Sequence, residues 1–104
     1  MYNLLYYIFA LGFGNSSGEF IIRYYAKNLQ SRGINANTII PGVVNTELHR
    51  VNKILKDHDV LKITGQRRVL DPSEIGKVAR FLCNAGMAIT GVSINVDYGI
   101  HLGK

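Results

Sequence analysis

Chemistry in this chain is best sought at Pro41-Gly42-Val43-Val44-Asn45-Thr46, where the β-branched run 34–40 stops abruptly at a Pro-Gly turn and is followed by a hydroxyl. Open α/β sheets hold ligands in the crevice outside the carboxyl ends of their strands. A turn of this kind offers backbone amides and the Thr46 hydroxyl to a polar ligand there. A second candidate is Gly12-Phe13-Gly14-Asn15-Ser16-Ser17-Gly18, a glycine-rich stretch between an apolar segment and a helical pattern. Amides at a helix start, aided by the Ser16 and Ser17 hydroxyls, can cradle a phosphate. Its spacing is one residue longer at the last step than the common dinucleotide fingerprint, and the next strand ends in Pro41-Gly42 where that fingerprint expects an acid.

Other reactive side chains are sparse. Cys83 is the only cysteine, which excludes an internal disulfide, and it reads as a small buried apolar residue of a helix. His49, His58 and His101 lie far apart and share no metal-ligand spacing, so no metal site is expected. Arg50, Lys53, Lys56, Lys62, Arg67 and Arg68 concentrate much of a net charge of +5 in one stretch. Asp57, Asp59 and Asp71 interrupt it and no aromatic residue lies among the bases, so it reads as a solvated face and not as a nucleic-acid surface.

The elements that must position these groups follow from pattern. At 104 residues the chain makes one domain at most. The apolar opening 1–13 has no preceding Lys or Arg and is too short to span a bilayer as a helix; it reads as a buried element, with 6–10 as a strand, in a cytoplasmic chain without membrane partners. Ser16-Ser17-Gly18-Glu19 has capping-box spacing, so a helix should begin near Ser16, and Gly33 should stop it. Phe20, Ile21, Ile22, Tyr24, Tyr25 and Leu29 wrap more than one face of that helix, which predicts cover on two sides. Residues 34–40 form a strand bounded by Gly33 and Pro41. Asn45 or Thr46 caps a short helix with Leu48, Val51 and Leu55 at helical spacing, and the stretch 47–68 is otherwise unreadable. Asp71-Pro72-Ser73-Glu74 combines an Asp N-cap, a Pro at the first helical position and a Glu three residues on. It predicts a helix to about Asn84 with Ile75, Val78, Ala79 and Leu82 buried, Lys77 and Arg80 outside, and Gly86 as the stop. Residues 91–96 then return as a strand parallel to 34–40.

Ala26-Lys27-Asn28-Leu29-Gln30-Ser31-Arg32-Gly33-Ile34-Asn35-Ala36-Asn37, the Pro-Gly turn at the expected spacing, Arg68-Val69-Leu70-Asp71-Pro72-Ser73-Glu74-Ile75 with Phe81-Leu82, and Ile89-Thr90-Gly91-Val92-Ser93-Ile94-Asn95-Val96-Asp97 together resemble the C-terminal part of a short-chain dehydrogenase/reductase, over about 15–99. The resemblance implies an α/β fold, the C-terminal part of a Rossmann-type doubly wound parallel sheet, as a single truncated domain over 1–104. It implies NAD or NADP as cofactor, with contacts from Pro41, Gly42, Val44 and Thr46, an amide near Val44 and the Thr46 hydroxyl holding the carboxamide. It also implies a helix packed on the sheet by one side and on a partner subunit by the other.

The resemblance has departures. The Tyr-x-x-x-Lys dyad, counted back from Ala26-Lys27, falls on Leu11 and Asn15, neither of which can transfer a proton, so no catalytic residue is assigned. The βα units that would hold the adenine half do not precede the match, and the usual Asp-Gly-Gly close reads Asp97-Tyr98-Gly99. The expectation is an oxidoreductase by ancestry that is inactive alone. The alternatives are a noncatalytic module that pairs with itself or a related subunit, and a small phosphate- or dinucleotide-binding domain that uses the 12–18 loop.

Overall fold

The computed structural model describes residues 6–11, 16–45, 57–84 and 88–103. Its centre is the strand β2 (Ile34–Pro41), whose residues 35–40 are all buried. Near-continuous burial marks a strand covered on both faces, the usual state of a parallel sheet. Strand β1 (Tyr6–Leu11) lies parallel on one side, Tyr6 opposite Ile34 and Leu11 opposite Ile39. Strand β3 (Ser93–Val96) lies parallel on the other, Thr38 opposite Ser93 and Pro41 opposite Val96, giving the order β1-β2-β3. The segments ending at Pro41 and Asp97 are therefore side-by-side parallel neighbours, as the Rossmann-type reading requires.

Helix α1 (Ser16–Leu29) makes the β1-to-β2 crossover and extends through a 3₁₀ turn (Gln30–Arg32). Gly33 ends it at φ 72°, in the left-handed region where a Cβ is costly, and donates its N–H to the Gln30 carbonyl. One turn apart on α1, Ile22 and Ala26 pack with Ala36 of β2 in one buried cluster. The same helix leaves Phe20, Ile21, Tyr24 and Tyr25 exposed, so only one of the two faces expected to be covered is covered within this chain. Glu19, read as the far half of a capping box, accepts a hydrogen bond from the Ser93 hydroxyl at 3.3 Å and so ties the start of α1 to the outer strand.

Two further helices precede β3. Helix α2 (Asp57–Thr64), not anticipated, has acids in its first turn and buries none of its residues. Gly65, at φ 81°, stops it and donates its N–H to the Leu61 carbonyl at 2.8 Å. Helix α3 (Pro72–Asn84) has the bounds its capping residues predicted. Leu82 is fully buried and Ile75, Val78 and Ala79 half-buried, with Lys77 and Arg80 exposed. Cys83 is exposed, against the buried position expected of it, because it stands one residue, about 100° around the helix, from Leu82. The proposed cap residue Thr46, the helix through Leu48, Val51 and Leu55, and the stop at Gly86 lie outside the described residues.

Asn37 fastens the return into β3. Its Oδ1 accepts the Val92 N–H at 3.1 Å and its amide donates to the Ile89 carbonyl at 3.2 Å. The Ala36 N–H donates to the Thr90 hydroxyl oxygen at 3.1 Å, and Gly91 and Thr38 complete the ladder with the Ala36 and Val92 carbonyls. These bonds seat Asn37 in a core position at little cost, since both ends of its side-chain amide find partners.

Candidate functional site

The crevice candidate is the turn that leaves β2. Pro41, the last strand residue, sits beside Val96, and the Gly42 N–H donates to the Val96 carbonyl at 3.0 Å. Glycine is obligatory at 42 for reasons of space: a Cβ there would come 2.1 Å from Gln66 Oε1, 2.8 Å from Asp97 Cβ and 3.1 Å from Asp97 Cα. The chain past Gly42 is then zipped to the segment that follows α2. Leu70 donates its N–H to the Val43 carbonyl at 2.9 Å and accepts the Asn45 N–H at 2.8 Å, a one-residue parallel bridge between Val44 and Leu70. Gln66, buried, adds its side chain to the same edge, with the Val43 N–H donating to Oε1 at 2.8 Å and Nε2 donating to the Val43 carbonyl at 2.9 Å.

Three of the four residues expected to contact a cofactor are thus brought together: Pro41, Gly42 and Val44 are half-buried in one turn at the carboxyl end of the central strand. The fourth, Thr46, lies outside the described residues. In an extended segment the N–H and C=O of successive residues point to opposite sides. Val43 and Asn45 face the 66–70 segment, so Val44 presents its N–H the other way, and among the described residues nothing accepts it. A donor with no acceptor among the described residues, beside a Pro-Gly turn, suits the oxygen of a carboxamide.

The neighbouring groups are committed elsewhere. Asp97, buried, accepts the Gly99 N–H at 2.9 Å, the His101 N–H at 3.2 Å and lies 2.9 Å from His101 Nδ1, so it holds the turn after β3. In that turn Tyr98 takes φ 56° ahead of Gly99 at φ 83°. A tyrosine therefore occupies a left-handed position that a glycine would fill without strain. Arg68 lies 5.4 Å from the centre of the Tyr98 ring and forms an ion pair with Glu74. Glu74 also accepts the Asp71 N–H at 2.8 Å while Asp71 Oδ1 accepts the Ser73 N–H at 3.0 Å, the reciprocal cap predicted for α3. The hydrogen bond from the backbone amide of Ser73 lowers the pKa of Asp71 below the ordinary carboxylate value. The Asp71 amide, then Arg68, lowers the pKa of Glu74 likewise, and Glu74 raises the pKa of Arg68.

Of the other sequence candidates, Lys62, Arg67 and Arg68 are exposed, while Arg50, Lys53 and Lys56 lie outside the described residues. Leu11, one of the counted dyad positions, is the last residue of β1; Asn15, the other, is outside, as are Gly12 and Gly14. Gly18 stands in the first turn of α1, where a Cβ would meet nothing within 4 Å, so close packing on the strand does not demand a glycine there. Among the described residues no group of three or more His, Cys, Asp or Glu could hold a metal, and no helix is long and apolar enough to cross a membrane. Gln66 was not foreseen. A single glutamine after a helix-stopping glycine carries no pattern, and Val43, the residue it grips, lies 23 residues away.

The family model described as enoyl-(acyl carrier protein) reductase matches residues 16–101. Among curated proteins, the enoyl-(acyl-carrier-protein) reductase (NADH) FabI of Buchnera aphidicola subsp. Schizaphis graminum is 37% identical over 97 residues, which cover 88% of this chain and 36% of that protein. The protein of the same description from Bacillus subtilis is 31% identical over 97 residues, covering 88% and 37%. The 3-oxoacyl-(acyl-carrier-protein) reductase FabG of Vibrio cholerae is 32% identical over 81 residues, covering 74% and 32%. The chain spans about a third of the length of these relatives. In fold it is similar to a blue fluorescent protein from a metagenomic library solved in complex with NADPH, with TM-score 0.74 at 23% identity over 90% of this chain and 44% of that one. A short-chain oxidoreductase of Pseudomonas aeruginosa with an atypical catalytic centre gives TM-score 0.76 at 16% identity, over 89% and 46%.

Proposed function

The chain belongs to the short-chain dehydrogenase/reductase family, and from that premise we propose that its turn 41–46 is the nicotinamide-facing wall of an NAD(P)-dependent oxidoreductase. One observation carries the reading: a Pro-Gly turn at the carboxyl end of the central parallel strand leaves the Val44 N–H without an acceptor among the described residues. Pro41 and Gly42 would lie against the ring, and Val44, with Thr46, would bind the carboxamide. The cofactor, when bound, supplies hydride transfer. The chain's own part is to orient the ring and keep water from one side of it. The relatives' names direct the substrate class toward acyl chains carried as thioesters on acyl carrier protein, reduced at an enoyl or 3-oxo group.

Proton transfer is a separate matter. With Leu11 and Asn15 at the counted dyad positions, no phenol or ammonium stands there to protonate a reduced oxygen, a loss typically worth about 10²–10⁴-fold in rate. This chain alone is therefore proposed to have negligible activity. Titration of the labelled chain with nicotinamide mononucleotide, followed by amide NMR, tests the reading. Shifts centred on residues 41–45 are expected. Shifts centred on residues 16–18 would transfer the ligand to the glycine-rich loop, and none at all would remove the nicotinamide wall.

A second reading has its own observation. Phe20 is 70% and Tyr24 60% exposed one turn apart on α1, with Ile21 and Tyr25 beside them. Adjacent exposed aromatics on one helix face mark an association surface. We propose that a second copy or a related subunit covers it. Sedimentation should show a dimer or larger, and Phe20→Lys with Tyr24→Lys should give a monomer.

A further inference from the structure

Gln66 is a buried amide that contact with a cofactor at 41–46 does not by itself call for. It is 3% exposed, between Gly65, which stops α2, and the exposed Arg67 and Arg68. Its hydrogen-bonding capacity is well spent: Oε1 accepts the Val43 N–H at 2.8 Å, while Nε2 donates to the Val43 carbonyl at 2.9 Å and to the Arg68 carbonyl at 2.6 Å. A primary amide offers an acceptor and donors in the arrangement of a peptide group. Here it pairs with both polar groups of one residue, as a neighbouring strand would, and extends the Val44–Leu70 bridge by one step. The same oxygen lies against Gly42, 2.1 Å from where a Cβ would stand.

This clamp decides which way the turn faces. With the Val43 N–H and C=O directed at Gln66, and the Val43 C=O and Asn45 N–H bridged to Leu70, the Val44 N–H is left on the side away from the 66–70 segment. Resting on the reading of 41–46 as the nicotinamide wall, we infer that Gln66 is a positioning residue for the cofactor: it touches no ligand, but fixes the Val43 peptide so that the Val44 amide stands ready for the carboxamide. A preorganised donor spares the ligand the cost of ordering the loop. The neutral amide is the side chain that fits. An ionised carboxylate has only acceptors, which would face the Val43 and Arg68 carbonyls, and a thioether would leave the Val43 N–H buried without a partner.

The test compares the full chain with Gln66→Met and Gln66→Glu, reading amide exchange and nicotinamide mononucleotide titrations by NMR. In Gln66→Met the Val43 amide should exchange about tenfold faster and the ligand Kd should rise about tenfold. The amides of Ser73 and Val92, held by Asp71 and Asn37, should stay as protected as before. Gln66→Glu should behave like Gln66→Met near pH 7 and approach the parent at about pH 4–5, where a protonated carboxyl again donates and accepts. A merely structural glutamine would not move the ligand Kd with pH in this way.

Unchanged Val43 exchange in both variants would overturn the clamp, even if ligand still shifted residues 41–45. Faster Val43 exchange with an unaltered Kd would reduce Gln66 to a structural role and equally overturn the proposal. If the parent itself shows no ligand shift at Val44, the nicotinamide wall fails and the proposal with it, while the exchange data still report whether Gln66 holds Val43. Should neither variant fold, the parent decides: the Gln66 side-chain amide must be slow to exchange and must shift on ligand addition, and a fast, unresponsive amide refutes the inference.

Discussion

Gly42→Ala inserts one methyl group into the most crowded point of the turn, and its effect follows from what that methyl meets. The new Cβ would lie 2.1 Å from Gln66 Oε1 and 2.8 Å from Asp97 Cβ. The flexible end of a glutamine ordinarily swings aside at little cost. This one is held by three hydrogen bonds, and Asp97 is fixed by the turn after β3, so neither can yield without loss. Overpacking costs about 1–3 kcal/mol. Loss of the two bonds between Gln66 and Val43 adds about 1 kcal/mol each. The sum, about 3–5 kcal/mol, is a large part of the roughly 5–15 kcal/mol available to a domain. At about 4–8 °C per kcal/mol, the thermal midpoint should fall by more than about 12 °C. Circular dichroism melts of Gly42→Ala and Gly76→Ala make the comparison, because Gly76 lies inside α3 with nothing within 4 Å of a Cβ. There the same methyl should stabilise by about 0.5–1 kcal/mol through helix propensity. If Gly42→Ala melts within about 3 °C of the parent, a change worth under 1 kcal/mol, the packing of Gln66 and Asp97 on Gly42 is refuted.

At Tyr98, with φ 56°, Gly should be more stable than Ala by about 1 kcal/mol, since both lose the Arg68 contact and only Gly is free of the left-handed strain; equal denaturation midpoints would deny the strain. Asn37→Ala strips partners from the Val92 N–H and the Ile89 carbonyl and should cost about 2–4 kcal/mol, read by urea denaturation, with the Val92 amide losing exchange protection first. The lowered folded-state pKa values of Asp71 and Glu74 mean that, as pH falls, the unfolded chain binds their protons first. Their contribution is thus complete above the ordinary carboxylate range, about pH 5, and is lost as pH falls through the lowered folded values. Glu74→Gln should flatten that acid limb, and an unchanged pH profile of α3 helicity would contradict the cap.

Where local chemistry alone decides structure, the sequence was readable. Helix α3 begins at Pro72 because Asp71, Pro72 and Glu74 satisfy the orphan amides of its first turn without help from the rest of the fold. Gly33 ends the first helix and Pro41 ends β2 for equally local reasons. Helix α2 escaped because periodicity detects a helix by the stripe it buries, and no residue of this one is more than half-buried. Cys83 misled by type: cysteine is usually buried, but the position on the helix, one residue from Leu82, overrules the average. On α1 the apolar residues announce two faces, and among the described residues Ile22 and Ala26 are buried while Phe20, Ile21, Tyr24 and Tyr25 stay exposed.

The candidate site was legible in a narrower sense. Pro41, Gly42 and Val44 name the place, and their spacing suffices to find it. They do not explain its shape. Left to itself, Val43-Val44-Asn45 could present either edge to the crevice. The edge is chosen by Gln66 and Leu70, which take up Val43 and Asn45, and the approach of Asp97 leaves room at position 42 only for glycine. Each of these constraints comes from chain more than 20 residues beyond the turn and acts through one or two bonds, so none leaves a local pattern. A substitution at Gln66, Leu70 or Asp97 should therefore disturb the turn as surely as one within it, and the Val43 amide, bonded to the first of these, is where the disturbance would be read.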